Sequence, residues 1–275
     1  MIHLSGLYRY PVKSLRGCAV PTAEIDALGL AGDRRFLVVD ETGRFRTQRT
    51  LPRMALIATA LDAGSLTLSA DGAGAISVPT ASDPDAPRRV VSVWKSERLQ
   101  AEDGGELAAA WLTDFLGEKS RLVQIGRDFE RPALKPSAVT GDRLNFADAY
   151  PFLIVSEASL AELNDRLVAQ GEAAVPMNRF RPNFVVTGCP AFAEDTWQRL
   201  KIGEVTLRAG GPCGRCVMTT TDQETAERGL EPLRTLAKYR RNAGDSTNVD
   251  FGQNLFHETK TGTIRVGDRV HVAAG

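Results

Sequence analysis

The chain is poor in histidine, with three in 275 residues, and it has four cysteines. A structural zinc site takes about four Cys or His ligands, usually as two pairs, so this supply argues against structural zinc. Positive charge is not in excess either, because Lys plus Arg equals Asp plus Glu at 34 each. Nucleic-acid binders usually carry a basic excess, so no nucleic-acid partner is expected.

Long apolar runs are also missing. Residues 1–11 lack the apolar core of a signal peptide, and no segment approaches the length that spans a bilayer. These absences predict a cytoplasmic protein with no membrane partner. In a reducing compartment the cysteines are not a disulfide framework; they are Cys18, Cys189, Cys213 and Cys216.

What the chain does have is an ordinary globular composition, 43% hydrophobic and 25% charged. Short apolar or β-branched segments at 35–39, 55–59 and 65–69 are separated by Gly and Asp turns, so they predict strands. The loop at 62–65 is typical of a hairpin. The first part of the chain is therefore expected to be rich in β-structure.

Residues 107–115 predict a helix, because apolar side chains recur every four positions at Leu107, Trp111 and Phe115. The next stretch, 126–144, is polar and punctuated by proline, which is typical of a connector. The sequence therefore predicts two units, 1–125 and 126–275. The expected fold is mixed α/β and β-rich, with a few flanking helices.

The second unit follows the same pattern. Residues 152–155 are a candidate for a buried strand, and Ser156 stands where a helix N-cap is expected. A further helix is predicted at 232–240, with proline in its first turn. Further strands are predicted at 184–187 and 205–208, and residues 263–270 predict a strand, a turn and a second strand.

Cys213-Gly214-Arg215-Cys216 places two thiols three residues apart beside an arginine. Positive charge and exposed amides favour thiolate over thiol, and a thiolate is either a nucleophile or a soft metal ligand. A redox dithiol is expected at a helix N-terminus, whereas residues 217–221 predict a strand, so this chemistry is poorly placed. Cys213 is equally well explained as a small buried hydrophobic residue, as are Cys18 and Cys189.

Four other polar segments could present donors to an anion. They place a lysine and a serine after a strand, arginines before strands, and amides beside a glycine, at 10–17, 32–36, 178–183 and 250–255. Each alone is more often structural than functional. Together with a thiolate, and without a Ser-His-Asp set, they favour a large polyanionic cofactor that carries a metal.

In this order the segments resemble the MOSC family, in its two-part form of the YcbX and mitochondrial amidoxime reducing component type. Residues 10–14 resemble the family's N-terminal signature, and 249–255 look most like its bacterial branch. The second-half motifs are 152–160, 180–183, 213–216 and 231–236. The resemblance implies an N-terminal MOSC β-barrel domain followed by a MOSC β-barrel domain.

The resemblance implies a molybdopterin-type molybdenum cofactor, not pyridoxal phosphate, with the metal held by the soft thiolate of Cys216. Asp148 matches a pocket carboxylate for proton delivery or substrate contact. The resemblance also implies that the pterin and phosphate are bound by Lys13, Ser14, Arg34, Arg181, Arg215 and Asn254. The implied reaction is a detoxifying reduction of N-hydroxylated compounds, by oxygen abstraction at the metal.

The chain departs from the family pattern after the MOSC domain. Members of the bacterial branch commonly carry a ferredoxin-type domain there, and no cysteine follows Cys216 to hold an iron–sulfur cluster. Electrons are therefore expected from a separate donor protein of ferredoxin, flavodoxin or cytochrome type. Gly214 also replaces a residue that is often serine.

Two alternatives stay open. One is a non-redox carrier of the cofactor, or of a persulfide on Cys216. The other is a thiol–disulfide oxidoreductase, which would need Cys213 as much as Cys216.

Overall fold

The computed structural model describes residues 1–273; Ala274 and Gly275, the end of the predicted second unit, lie outside the described residues. The chain folds mainly as β-structure. Its strands are β1 His3–Arg9, β2 Cys18–Ala19, β3 Thr22–Asp26, β4 Gly29–Leu30, β5 Phe36–Val39, β6 Ala58–Asp62, β7 Ser65–Ala70, β8 Gly74–Pro79, β9 Arg88–Val93, β10 Ser96–Asp103, β11 Arg121–Ile125, β12 Phe152–Ser156, β13 Phe184–Thr187, β14 Arg199–Ile202, β15 Val205–Gly214, β16 Asp250–His257, β17 Gly262–Arg265 and β18 Val270–Val272.

Helices are few and short. The α-helices are α1 Glu106–Leu116, α2 Glu157–Val168 and α3 Leu233–Leu236, and 3-10 helices lie at Pro52–Leu56, Met177–Arg179, Ala193–Thr196 and Val217–Thr220. The predicted β-rich class with a few helices is confirmed. No helix within residues 1–273 is long and apolar enough to cross a membrane.

The largest sheet has eight strands in the order β18-β14-β15-β16-β12-β13-β1-β2. In it β1 pairs antiparallel with β13, and β12 runs parallel to β13. The smaller sheets are β5-β11-β10-β9, β17-β3-β4 and β6-β7-β8. The large sheet takes strands from both ends of the sequence, so strand pairing crosses the boundary predicted at residue 125. The division into two units stays a prediction.

Each sheet buries an apolar face. One core lies under the large sheet and includes Leu4, Phe184 and Leu207. A second core joins α1 to the first-half strands, through residues such as Leu112 and Phe36. The buried face of α1 is shifted from the predicted one, because Leu107 is exposed and Leu112 is buried.

Most predicted strands are present, and Ser156 caps α2 by accepting a hydrogen bond from the backbone N–H of Ser159 at 3.1 Å. The prediction of a strand at 55–59 was partly wrong, since a 3-10 helix with proline at its start runs to Leu56. The helix predicted at 232–240 ends at Leu236. Beyond it the N–H groups of Lys238 and Tyr239 donate to the carbonyls of Thr235 and Leu236, three residues earlier, which is the pattern of a turn.

The strand predicted at 217–221 was also wrong, because these residues form a 3-10 helix. The hydroxyl groups of Thr219 and Thr220 donate to the carbonyls of Cys216 and Val217, at 3.0 and 2.9 Å. Such local bonds between side chain and backbone compete with strand pairing, and here they override the β-preference of threonine.

The connector at 126–144 is anchored by a buried arginine. Arg131 is 2% exposed, and burial lowers its pKa to about 10. Its Nη1 donates to the carbonyls of Asn145, at 2.7 Å, and Ala147, and its Nη2 donates to the carbonyl of Asp148 at 3.0 Å. One guanidinium therefore holds the backbone that leads to Asp148 and β12.

Arg131→Met is expected to lower the free energy of unfolding by about 3 kcal/mol or more, because each buried carbonyl left without a donor costs about 1–3 kcal/mol. Urea denaturation followed by circular dichroism measures this loss. Arg127→Met is the matched control, since Arg127 is exposed on the same connector. Equal denaturation midpoints for the two variants would contradict the anchoring role.

Candidate cofactor site

One cavity brings together the residues that the sequence predicted for a site. Its volume is about 500 Å³, within the range of roughly 300–1,000 Å³ that is usual for small-molecule and cofactor sites. These residues come from distant parts of the chain. The predicted residues in its lining are Lys13, Ser14, Arg34, Asp148, Arg181, Arg215, Cys216 and Asn254.

Strand pairing explains how the segments meet. β1 leads into the loop that holds Lys13, and its antiparallel partner β13 follows Arg181, so both segments lie at the same end of the sheet. β12 runs parallel to β13 and follows Asp148, so it begins at that end too. β15 pairs antiparallel with β16, with two irregularities in register, and Arg215 and Cys216 directly follow its end at Gly214.

Three of these residues have an unusual backbone conformation. The φ angles of Ser14, Arg34 and Arg181 are 65°, 47° and 55°. A positive φ is uncommon outside glycine, and strain of this kind costs roughly 1–3 kcal/mol and concentrates at functional sites. Surrounding bonds hold the loop in place: Gln48 Nε2 donates to the Ser14 carbonyl at 2.8 Å, and Arg181 Nη1 donates to the Leu15 carbonyl at 2.7 Å.

Tyr10 contacts two of the arginines. The guanidinium carbons of Arg34 and Arg181 lie 4.9 and 4.3 Å from the centre of its ring, in cation–π contact. Burial lowers the pKa of Arg181 to about 10, which leaves it charged at neutral pH. The ring therefore contacts two positively charged side chains that line the cavity.

A buried carboxylate and an amide attach this wall to the sheet. Asp33 accepts hydrogen bonds from the Tyr10 N–H at 2.8 Å and from Asn183 Nδ2 at 3.2 Å. Arg34 Nη1 donates to Asp33 and, at 3.1 Å, to Asn183 Oδ1. Asn183 directly precedes β13, so the arginine loop is fixed to the strand that pairs with β1.

Arg49 is a site residue that the sequence did not indicate. Its Nε donates to Cys216 Sγ at 3.3 Å, and its Nη2 donates to Asp148 Oδ2 at 3.3 Å. Burial alone would lower the pKa of Arg49, but the Cys216 sulfur and the Asp148 carboxylate outweigh it, so the pKa is raised. Nothing in the surrounding sequence, 47–50, marks this arginine as different from a solvated one.

Asp148 forms an ion pair with Lys13 and also accepts a hydrogen bond from Trp94 Nε1 at 2.9 Å. Burial lowers the pKa of Lys13 to about 8, although Asp148 opposes this. Burial alone would raise the pKa of Asp148, but Lys13, Trp94 and Arg49 outweigh it and hold that pKa well below its usual range. Asp148 is therefore a carboxylate at neutral pH, which does not fit proton delivery and fits the alternative of a contact role.

The two cysteines of the motif have different partners. Cys216 precedes the 3-10 helix and receives the Arg49 bond, whereas Cys213 lies in β15 and accepts from Arg215 Nη1 at 2.9 Å. Cys213 is half-buried against an apolar cluster that includes Phe180. It is therefore less buried than the sequence predicted. Cys18 and Cys189 are also half-buried. The two thiols of the motif therefore differ both in their hydrogen-bond donor and in the element that holds them.

Comparison with known proteins fits this arrangement. The model of the MOSC N-terminal beta barrel domain matches residues 1–119, and the MOSC domain model matches residues 141–271. Human mitochondrial amidoxime-reducing component 1 is 38% identical over 282 aligned positions, which cover 97% of this chain and 81% of that protein. Mitochondrial amidoxime reducing component 2 of Bos taurus is 37% identical over 281 positions, covering 98% and 82%.

The mouse (Mus musculus) mitochondrial amidoxime-reducing component 1 is 39% identical over 280 positions, which cover 97% of this chain and 81% of that protein. The chain therefore belongs to the MOSC family, in the form that pairs an N-terminal MOSC β-barrel domain with a MOSC domain. The family that the sequence motifs suggested is confirmed.

Lys13→Met is expected to remove a pH-dependent part of the stability. In the folded chain Lys13 loses its proton near pH 8, whereas an ordinary lysine in the unfolded chain keeps its proton up to about pH 10.5. Between these values the unfolded chain binds more protons, so this group makes the folded state more stable as pH rises. Relative to the variant, the wild type should therefore gain up to about 3 kcal/mol across this window.

Urea denaturation of both proteins at several pH values measures the difference. Lys201→Met is the matched control, because Lys201 is exposed. Parallel stability curves for the wild type and Lys13→Met would show that Lys13 titrates as an ordinary lysine.

Proposed function

We propose that this chain is a molybdenum-cofactor-dependent oxidoreductase that reduces N-hydroxylated compounds. The observation that carries the proposal is the charge of the cavity in a chain with no net charge. Two aspartates line the cavity, Asp148 and Asp250. Its cationic side chains are Lys13, Arg34, Arg49, Lys135, Arg179, Arg181 and Arg215. Arg34 and Arg179 are paired with Asp33 and Asp222, which lie outside the lining, and cations still outnumber carboxylates. Such an excess suits a polyanionic ligand.

The donor set fits a molybdopterin with its phosphate. Three buried guanidinium nitrogens of the lining, Arg49 Nη1, Arg179 Nε and Arg215 Nε, have no hydrogen-bond partner in the structure. Buried N–H groups normally find an acceptor, so these nitrogens match a ligand with several acceptor oxygens. The Nδ2 of Asn254 bonds to the Gly211 and Pro212 carbonyls, so its Oδ1 is the atom available to a ligand.

The metal is assigned to Cys216. Its sulfur is a soft ligand that suits molybdenum already held by the dithiolene sulfurs of the cofactor. Within residues 1–273 no three His, Cys, Asp or Glu side chains come together as a metal site, so a metal held here would depend on ligands from outside the chain, such as those dithiolene sulfurs. Lys13, Ser14, Arg34, Arg181 and Arg215 are assigned to the pterin and phosphate.

The reaction consumes two electrons and two protons for each N–O bond broken; it yields water and an amine from a hydroxylamine, or water and an amidine from an amidoxime. Bound molybdenum supplies the two-electron chemistry at the N–O bond. The chain supplies orientation and protons. Because Asp148 is ionised and the pKa of Lys13 is about 8, the Lys13 ammonium is the acid of this ion pair, so Lys13 has a second role as proton donor besides its contact with the cofactor. Asp148 and Arg49 position the substrate beside Cys216.

The names of the relatives support the proposed substrate class. The curated proteins at 37–39% identity are called amidoxime-reducing components. Amidoximes are N-hydroxylated compounds, so the proposed substrate class follows theirs. A separate electron-donor protein and a cytoplasmic location remain predictions from the sequence.

Cys216→Ser is expected to abolish both molybdenum binding and activity. A wild-type chain made in a cofactor-competent host should hold close to one molybdenum per chain. The variant should lose amidoxime reduction by more than about 100-fold, because even changes around a metal's ligands cost 10- to 100-fold. Elemental analysis and turnover with a chemically reduced artificial donor measure the two losses.

Cys213→Ser is the matched control, since a serine oxygen can still accept the Arg215 bond, and it should keep both metal and activity. Equal sensitivity of the two cysteines would favour thiol–disulfide chemistry. Wild-type protein that binds cofactor or cyanide-labile sulfur, yet reduces nothing with any donor, would favour a carrier.

A further inference from the structure

Trp94 occupies a place where a large side chain is costly. It stands at the tip of the β9–β10 hairpin with a φ of 55°, a conformation usual for Gly, Asn or Asp in such turns. For a bulky residue the strain is on the order of 1–2 kcal/mol. The side chain is 46% exposed, so burial in a core does not explain it.

Other residues of the site hold this indole in a defined position. Its N–H donates to Asp148, as described above, and its ring meets Phe45 edge-on with the ring centres 5.0 Å apart. The guanidinium of Arg49 lies 4.4 Å from the centre of the Trp94 ring. Arg49 also bonds to Cys216 Sγ, so a single side chain, Arg49, connects Trp94 to the thiol.

A second cavity, here called the Trp94 groove, lies on this side of the site. It has a volume of about 870 Å³ and a lining of mostly polar residues, in which Phe45 and Trp94 supply the aromatic surface. Thr47 and Arg49 line both this groove and the cofactor cavity, so the two spaces adjoin at Arg49. The groove therefore leads from exposed aromatic surface to the side chain that contacts Cys216.

We propose that the Trp94 groove binds the body of the substrate and makes Trp94 a specificity-determining residue for planar aromatic N-hydroxylated compounds. This inference rests on the proposed reductase function. The aromatic body stacks on the exposed surface of the indole, and its N–OH group extends past Arg49 toward Cys216. A compact aliphatic hydroxylamine has no ring to stack, so it gains nothing from Trp94.

Trp94→Ala and Trp94→Phe test this, with benzamidoxime and N-methylhydroxylamine as substrates and an artificial electron donor. Loss of one aromatic stack should raise KM for benzamidoxime about tenfold in Trp94→Ala. Loss of the bond to Asp148 should affect both substrates alike, so the test is the ratio of the two KM values (benzamidoxime over N-methylhydroxylamine), which should rise about tenfold in Trp94→Ala. Trp94→Phe keeps a ring but loses the indole N–H, so it should retain most of the aromatic preference.

Trp111→Phe is the matched control, because Trp111 packs on Phe115 of α1 and lines neither cavity. If Trp94→Ala and Trp94→Phe slow both substrates equally, Trp94 acts through its bond to Asp148, and the specificity role is overturned.

Binding without turnover separates this inference from the function itself. Benzamide is planar, neutral and not N-hydroxylated, and acetamide is its compact counterpart. Benzamide should quench tryptophan fluorescence saturably in Trp111→Phe and not in Trp94→Phe, and acetamide should quench neither. If the wild type reduces no substrate but benzamide quenches Trp94 in this way, the reductase function fails while the aromatic groove stands. If both substrates are reduced but benzamide does not quench Trp94, the reductase function stands and the aromatic groove is overturned.

Discussion

Positive charge with too few carboxylates to balance it is the constraint on which the site depends. Taking a cation out of water is costly, and the lowered pKa values of Lys13 and Arg181 record that cost. Asp148 balances Lys13 and Arg49, whereas Arg181 and Arg215 bond to backbone carbonyls, which carry no net charge. A ligand with several negative oxygens would balance these charges, whereas a neutral ligand would not.

Holding such charges in place requires a scaffold that cannot relax, and both ends of the chain contribute to it. β1 pairs with β13, which brings the Lys13 loop and Arg181 to one end of the large sheet. Asp33 and Asn183 then link the arginine loop to that sheet, and Arg131 fixes the segment that carries Asp148. The left-handed backbone of Ser14, Arg34 and Arg181 persists because these bonds surround it.

The sequence predicted those parts of the protein that depend on short-range pattern. The strands at 152–156 and 184–187 follow from apolar runs, and the cap at Ser156 follows from its position before a helix. Motifs marked the predicted site residues individually, and the cavity contains all of them. Arg49 and Trp94 could not be found in this way, because their position depends on a loop and a hairpin tip that meet at Asp148. The protonation of Asp148 was likewise beyond reach, because it depends on three neighbours distant in sequence.

The pairing of β1 with β13 also bears on how the protein is made. Ser5 bonds to Val185, 180 residues further along the chain, so the first strand leaves the ribosome long before its partner exists. At about 5–20 residues per second that interval is roughly 10–40 s. During this time β1 presents the side chains of Leu4 and Leu7 and an open strand edge, without the strand that will cover them. The nascent chain therefore passes through a prolonged stage in which this edge is open to pairing with other chains, and the cavity of the candidate site cannot form before synthesis has passed β16, which carries Asn254.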